Sequence, residues 1–107
     1  MFKPFLPKAI KQHFIQYDSV DVIPQETFDR IRKGFEKQYS ENPMVSIVVI
    51  AYNEEKTILK SLSSLSSLTS KYSFEVIVSN NNSTDRTQEI LDKCGVKSVF
   101  QSLQGIG

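Results

Sequence analysis

The sequence predicts an α/β fold in which parallel strands form a sheet between layers of helix. After Pro43, apolar and polar segments alternate in the order strand, helix, strand, helix, strand, which is typical of parallel strands joined by right-handed crossovers. Residues 45–50 form an almost continuous β-branched run, the pattern of a strand buried on both faces. We therefore expect a three-layer arrangement.

Length and composition indicate one small globular domain. The chain has 107 residues, of which 39% are hydrophobic and 23% charged, an ordinary globular composition. The formal net charge of +1 gives no field of the kind that drives binding to a phosphate backbone, so nucleic acid is not expected as a partner. No apolar run approaches the roughly 20 residues that cross a bilayer. The single cysteine, Cys94, favours a reducing, cytoplasmic location.

Residues 1–42 are predicted to form a helical amino-terminal extension of a domain that covers residues 43–107. An amphipathic helix, weakened by Gly34, is indicated by three apolar residues at helical spacing among charged ones: Phe28, Ile31 and Phe35. An earlier basic stretch that includes Ile10, Phe14, Ile15 and Tyr17 predicts a second helix. That helix either lies peripherally on an anionic membrane surface or packs on its own or a partner domain.

The helix after the first strand is expected to begin with Asn53 as its N-cap. Glu54 and Glu55 would then occupy its first turn, where the helix dipole favours acidic side chains. Its apolar face consists of residues at helical spacing: Ile58, Leu59, Leu62, Leu65 and Leu68. The helix should end near residues 69–72.

The remaining elements are a strand over residues 74–79, a helix that runs to about Lys93, and a strand over residues 96–101. Ser83, Thr84 or Asp85 could cap this second helix, and Gly95 is well placed to stop it.

Two polar loops, residues 51–55 and 79–85, follow the first two strands. Ligands of open parallel sheets bind outside the carboxyl ends of the strands, so these loops should share one crevice. Tyr52 offers a flat face for a base or ribose, and the amides of residues 80–82 can donate and accept hydrogen bonds. The alternative is structural: Asn53 and Ser83 would only cap helices, and the three asparagines would only form a turn. No Gly-x-Gly-x-x-Gly follows the first strand, which argues against a dinucleotide-dependent dehydrogenase.

The two loops together resemble the start of family 2 glycosyltransferases, which have the Rossmann-like GT-A fold. The resemblance rests on residues 45–55, Val-Ser-Ile-Val-Val-Ile-Ala-Tyr-Asn-Glu-Glu, and on residues 83–87, Ser-Thr-Asp-Arg-Thr. A weaker likeness continues to the glycine-containing residues 104–107. Three positions depart from the usual family pattern: Ile50 replaces a proline, Asn80 an acidic residue and Asn82 a glycine.

The resemblance implies an enzyme that transfers a sugar from a UDP- or GDP-type donor to a glycan or lipid acceptor, as in bacterial cell-envelope glycans. It implies donor-nucleotide contacts at Ala51, Tyr52, Glu54 and Asn80, and a helix-capping or loop-fixing role for Asp85. A divalent cation, Mn²⁺ or Mg²⁺, would hold the pyrophosphate. The family's Asp-x-Asp metal motif and catalytic base are expected beyond Gly107, so this chain would supply the nucleotide-binding half and be inactive alone.

A second hypothesis is a non-catalytic interaction module. A sheet that lacks further strands exposes unpaired edges, which could pair in a homodimer. The amphipathic extension offers another surface for the same association.

Overall fold

The computed structural model describes residues 15–102 and shows a parallel α/β fold. The sheet has 3 strands in the order β1-β2-β3: β1 (Val45–Ala51), β2 (Phe74–Asn81) and β3 (Lys97–Gln101). The described helices are a short 3-10 helix (Val20–Val22), α1 (Gln25–Gln38), α2 (Ile58–Ser66) and α3 (Thr87–Cys94). Both strand pairs are parallel, so the predicted Rossmann-like α/β fold is confirmed.

One face of the sheet packs against the helices. Because consecutive neighbouring strands are joined by right-handed crossovers, α2 and α3 lie on the same side. The residues of β2 alternate between buried and half-buried positions. Val76 and Val78 are buried and pair in register with Ile47 and Val49 of β1. The hydrophobic core therefore lies between this face and the helices.

The opposite face of the sheet is open among the described residues. Val48 and Ile50 are 59% and 65% exposed, and they lie in register with Ile77 and Ser79 of β2. The prediction that the first strand is buried on both faces is wrong for residues 15–102, because β-branched content predicts a strand without showing what covers each face. Residues 15–102 therefore show two of the three predicted layers, namely the sheet and the helices on one of its faces.

Helix α1 packs against α2 and α3. Phe28 and Ile31 are buried in the common core. A Cβ atom on Gly34 would lie only 2.3 Å from the carbonyl oxygen of Ser66 in α2, so glycine permits the close approach of the two helices. The residue that weakens the helix in isolation thus allows its packing. The boundary after residue 42 stays a prediction, since α1 shares a core with the segment that follows it.

Helix α2 ends at Ser66, earlier than predicted, and Leu68 is 43% exposed. Its last carbonyl groups find side-chain partners: Ser67 Oγ donates to the Ser64 carbonyl at 3.0 Å, and Gln38 Nε2 donates to the Leu65 carbonyl at 2.8 Å. These bonds satisfy acceptors that a further helical turn would otherwise use. Helix α3 stops at Gly95 as predicted, with φ 70° in the left-handed region.

The described part of the extension packs inward. Ile15 and Tyr17 lie against the hydrophobic core, and residues 15–19 are not helical. Ile10 and Phe14, which belong to the predicted basic helix, lie outside the described residues, as does the glycine-containing segment 104–107. Within residues 15–102, no helix is both long and apolar enough to span a bilayer.

Candidate functional site

The two polar loops begin side by side at the carboxyl edge of the sheet. Ala51, the last residue of β1, pairs in register with Asn80 near the end of β2. The predicted meeting of the two loops at one rim is therefore present in the structure.

Asn53 joins the first loop to the second. Its backbone N–H donates to Ser83 Oγ at 2.9 Å, and its Oδ1 accepts from the backbone N–H groups of Thr84 and Asp85 at 2.8 and 3.4 Å. Asn53 has a left-handed backbone, φ 49°, which asparagine tolerates better than most residues. The prediction that Asn53 caps α2 is wrong: the helix begins at Ile58, because the Asn53 oxygen is used across the loops.

Asp85 and Thr87 complete the junction from the second loop. Thr87 Oγ1 accepts from the Glu54 N–H at 2.9 Å, and Asp85 Oδ2 accepts from the Glu55 N–H at 3.2 Å. The other oxygen, Asp85 Oδ1, accepts from the N–H and hydroxyl of Thr87 at 2.9 and 2.6 Å. Burial alone would raise the pKa of Asp85, but the bonds from Thr87 and the backbone lower it below its ordinary value. The expected loop-fixing role of Asp85 is confirmed.

Three predicted site residues lie in the first loop with different exposure. Tyr52 is 43% exposed, so its ring is accessible for stacking. Ala51 is buried at 1% exposure, which leaves its backbone as the group that could meet a ligand. Glu54 is half-buried, and its N–H is taken by Thr87.

Asn80 lies beneath the rim rather than on it. Its side chain is fully buried, its Nδ2 donates to Gln88 Oε1 at 2.9 Å, and its Oδ1 accepts from the Ser83 N–H at 3.3 Å. In this arrangement both ends of the amide are occupied, so a ligand contact would need the amide to change partners. Asn81 is half-buried beside it. Asn82 has φ 53°, a conformation that suits the glycine of the family pattern that the loops resemble.

Gln88, for which the sequence predicts no role, extends the network from Asn80. Gln88 Nε2 donates to Asp92 Oδ1 at 2.9 Å and to Ser98 Oγ at 3.0 Å. The network thereby ties the second loop to α3 and β3. Gln88 and Asp92 have the i,i+4 spacing of a hydrogen-bonded helix pair, whereas the bonds of Gln88 to Asn80 and Ser98 join different elements and have no local signal.

The acidic groups of the rim do not form a metal site. Among residues 15–102, no cluster of three or more His, Cys, Asp or Glu side chains could hold an ion. Both carboxylate oxygens of Asp85 already accept hydrogen bonds from Glu55 and Thr87. Glu55 Oε1 accepts from the Arg86 N–H at 3.3 Å. The described residues therefore do not fit the divalent cation that the resemblance implies.

Comparison with known proteins agrees with the geometry. Residues 46–105 match the family model described as Glycosyl transferase family 2. A curated protein from Bacillus subtilis (strain 168), "Probable glycosyltransferase YdaM", is 36% identical over 75 residues, which cover 69% of this chain and 18% of that protein. No solved structure matches the chain. The family match covers more than half of the chain and includes both loops, and the chain therefore belongs to glycosyltransferase family 2.

Proposed function

We propose that the rim formed by residues 51–55 and 79–85 binds the nucleotide part of a nucleotide-diphosphate-sugar donor. The chain would do so in an enzyme that transfers the sugar to an acceptor. The observation that carries the proposal is the hydrogen-bonded junction of the two loops in a family 2 chain. A rim held by its own hydrogen bonds loses little conformational freedom when a ligand binds, which favours affinity.

In this proposal Tyr52 stacks on the base or ribose, because it presents an exposed aromatic ring at the rim. The backbone of Ala51 and the side chain of Glu54 supply polar contacts next to it. Asn80 contributes from below, by holding the Ser83 N–H, or contacts the base after its amide changes partners. An amide in place of the usual acid would alter base preference, so UDP and GDP are both candidate nucleotides.

The remaining parts of the reaction are assigned to other segments of a longer protein. The 75 matched residues cover 18% of the curated relative from Bacillus subtilis, and residues 15–102 hold no cluster of three or more His, Cys, Asp or Glu side chains that could bind a metal ion. We therefore propose that the catalytic base and the ligands of Mn²⁺ or Mg²⁺ lie beyond Gly107. The acceptor would be a glycan or lipid of the cell envelope, reached at the cytoplasmic face of the membrane.

Titration calorimetry with UDP and GDP tests the proposal. Aromatic stacking on a base contributes about 1–3 kcal/mol, or about 5- to 150-fold in Kd, so Tyr52→Ala should weaken binding by that factor. The matched control is Tyr72→Ala, since Tyr72 is a similarly exposed tyrosine, at 51%, before the amino-terminal end of β2. Absence of binding in the wild-type protein, or equal Kd values for the two variants, would contradict the proposal.

The alternative function, an interaction or dimerisation module, is favoured by the open sheet face. Val48, Ile50 and Val99 are each about half or more exposed, at 59%, 65% and 49%, and exposed apolar patches often mark association surfaces. Light scattering during size-exclusion chromatography tests this reading. A dimer that Ile50→Lys converts to a monomer would support dimerisation through this face, whereas a wild-type monomer at high concentration would exclude dimerisation.

A further inference from the structure

A short segment before α1 contacts the first loop at Glu55 and also contacts the residues that directly follow the two loops, Lys56 and Arg86. We call residues 17–21 the bracing segment. The Tyr17 hydroxyl donates to the Glu55 carbonyl, Lys56 Nζ donates to the Asp18 carbonyl at 2.7 Å, and Arg86 Nη2 donates to Asp21 Oδ1 at 2.8 Å. The segment lies outside the family match at residues 46–105. These contacts are therefore not part of the shared loop motifs.

Burial fixes the position of the bracing segment. Val20 is 2% exposed and the following Ile23 is 8% exposed, while Tyr17 packs against the core. Ser19 Oγ accepts from the Asp21 N–H at 3.2 Å and so caps the 3-10 helix. The segment is thus an anchored element that presents fixed polar groups to the first loop and to the residues that follow both loops.

The contact from Tyr17 reaches the point where the two loops join. Glu55 donates its N–H to Asp85 of the second loop, and its carboxylate accepts from the Arg86 N–H. Tyr17 takes the remaining carbonyl of the same residue. An ordinary tyrosine hydroxyl is already protonated at neutral pH, and burial raises the pKa of Tyr17 further, so the group is available as a donor.

The contacts made by Lys56 and Arg86 stabilise the loops less than the Tyr17 contact does, because each of them involves a side chain that is exposed to water. The Arg86–Asp21 ion pair has side-chain exposures of 37% and 75%, and exposed ion pairs contribute little. Lys56 is also exposed. Tyr17 is half-buried, so water competes less well for its hydrogen bond.

We propose that Tyr17 is a positioning residue of the candidate nucleotide site, and that it acts by holding the Glu55 carbonyl and thereby the first loop against the second. The effect on nucleotide binding rests on the function proposed above, whereas the effect on the loops does not. Tyr17 does not touch the ligand in this account. It fixes the loop that carries Tyr52 and Glu54.

Amide hydrogen exchange measured by NMR tests the bracing directly. Tyr17→Phe keeps the packed ring and removes the hydroxyl, so the Glu54 and Glu55 amides should exchange at least about 3-fold faster. The Val78 amide in β2 should change little. The control Tyr39→Phe removes the hydroxyl of a 76% exposed tyrosine and should alter neither. Unchanged loop exchange in Tyr17→Phe, or equal acceleration at Val78, would overturn the proposal, since the latter indicates only a global loss of stability.

Binding of UDP to the same variants tests the consequence for the site. Tyr17→Phe should weaken the Kd for UDP by about 3- to 10-fold, and Tyr39→Phe should leave it unchanged. An unchanged Kd in Tyr17→Phe would overturn the positioning role. A wild-type protein that binds neither UDP nor GDP would refute the proposed function instead, and hydrogen exchange would then decide the bracing alone.

Discussion

Replacing Asp85 by asparagine should weaken the junction between the two loops of the candidate site. The Asp85 carboxylate accepts with both oxygens, Oδ2 from the Glu55 N–H and Oδ1 from the N–H and hydroxyl of Thr87. An asparagine has one acceptor oxygen and one NH₂ donor. Asp85→Asn therefore places a donor against either the Glu55 N–H or the Thr87 groups.

The expected loss follows from the bond that cannot be remade. A hydrogen bond to a charged group contributes about 1.5–3 kcal/mol net, and Asp85 is half-buried, which places the expected loss near the lower end. We expect Asp85→Asn to lower the free energy of unfolding by about 2 kcal/mol at neutral pH.

The difference in the free energy of unfolding between wild type and Asp85→Asn should depend on pH. The folded pKa of Asp85 is lowered, so its carboxylate stabilises the fold above the unfolded value of about 3.9 and loses that contribution as pH falls through the folded pKa. Urea denaturation at several pH values should show the wild-type and Asp85→Asn free energies of unfolding converging in acid. The control, Asp18→Asn, changes an exposed side chain and should have little effect. Equal stability of Asp85→Asn and wild type at neutral pH, or a pH-independent difference, would refute the reasoning.

Three further predictions use the same denaturation assay. Gly34→Ala should destabilise by about 1–2 kcal/mol, because overpacking against the Ser66 carbonyl outweighs the gain of about 1 kcal/mol in helix propensity; a variant as stable as wild type would contradict this. Asn82→Ala should cost about 1 kcal/mol at its φ of 53°, whereas Asn82→Gly should cost less than about 0.5; equal losses would count against backbone strain there. Ile50→Thr, at a 65% exposed position, should change stability by less than about 0.5 kcal/mol, and Val78→Thr should lose about 1–3 kcal/mol by burying a hydroxyl; similar losses would contradict the open-face assignment.

Local patterns were sufficient to predict the three described strands, the parallel order of those strands, and the presence of α1, α2 and α3. Gly95 stops α3 through a backbone conformation that glycine adopts easily, so its role is readable from one position. The start of α2 could not be read in this way. Asn53 is a good local N-cap, but its oxygen bonds the backbone of Thr84, 31 residues away, and such a partner is invisible to a local rule.

The candidate site was predicted in part. The topology of parallel strands correctly placed both loops at one edge. The burial of Asn80 could also have been found, because it shares the period-two alternation of Val76 and Val78 along β2 and therefore points to the helices. The contact from Tyr17 to Glu55 joins residues 38 apart, and no spacing in the sequence indicates it.

Mapping the UDP contact surface by NMR tests the central claim most directly, namely that two cross-bonded loops form a nucleotide-binding rim. Titration of isotope-labelled protein with UDP should shift the amide signals of residues 52–55 and 80–83 together, with one Kd for both loops. Shifts confined to the opposite edge of the sheet, around residues 66–73, or shifts in only one loop, would contradict the account.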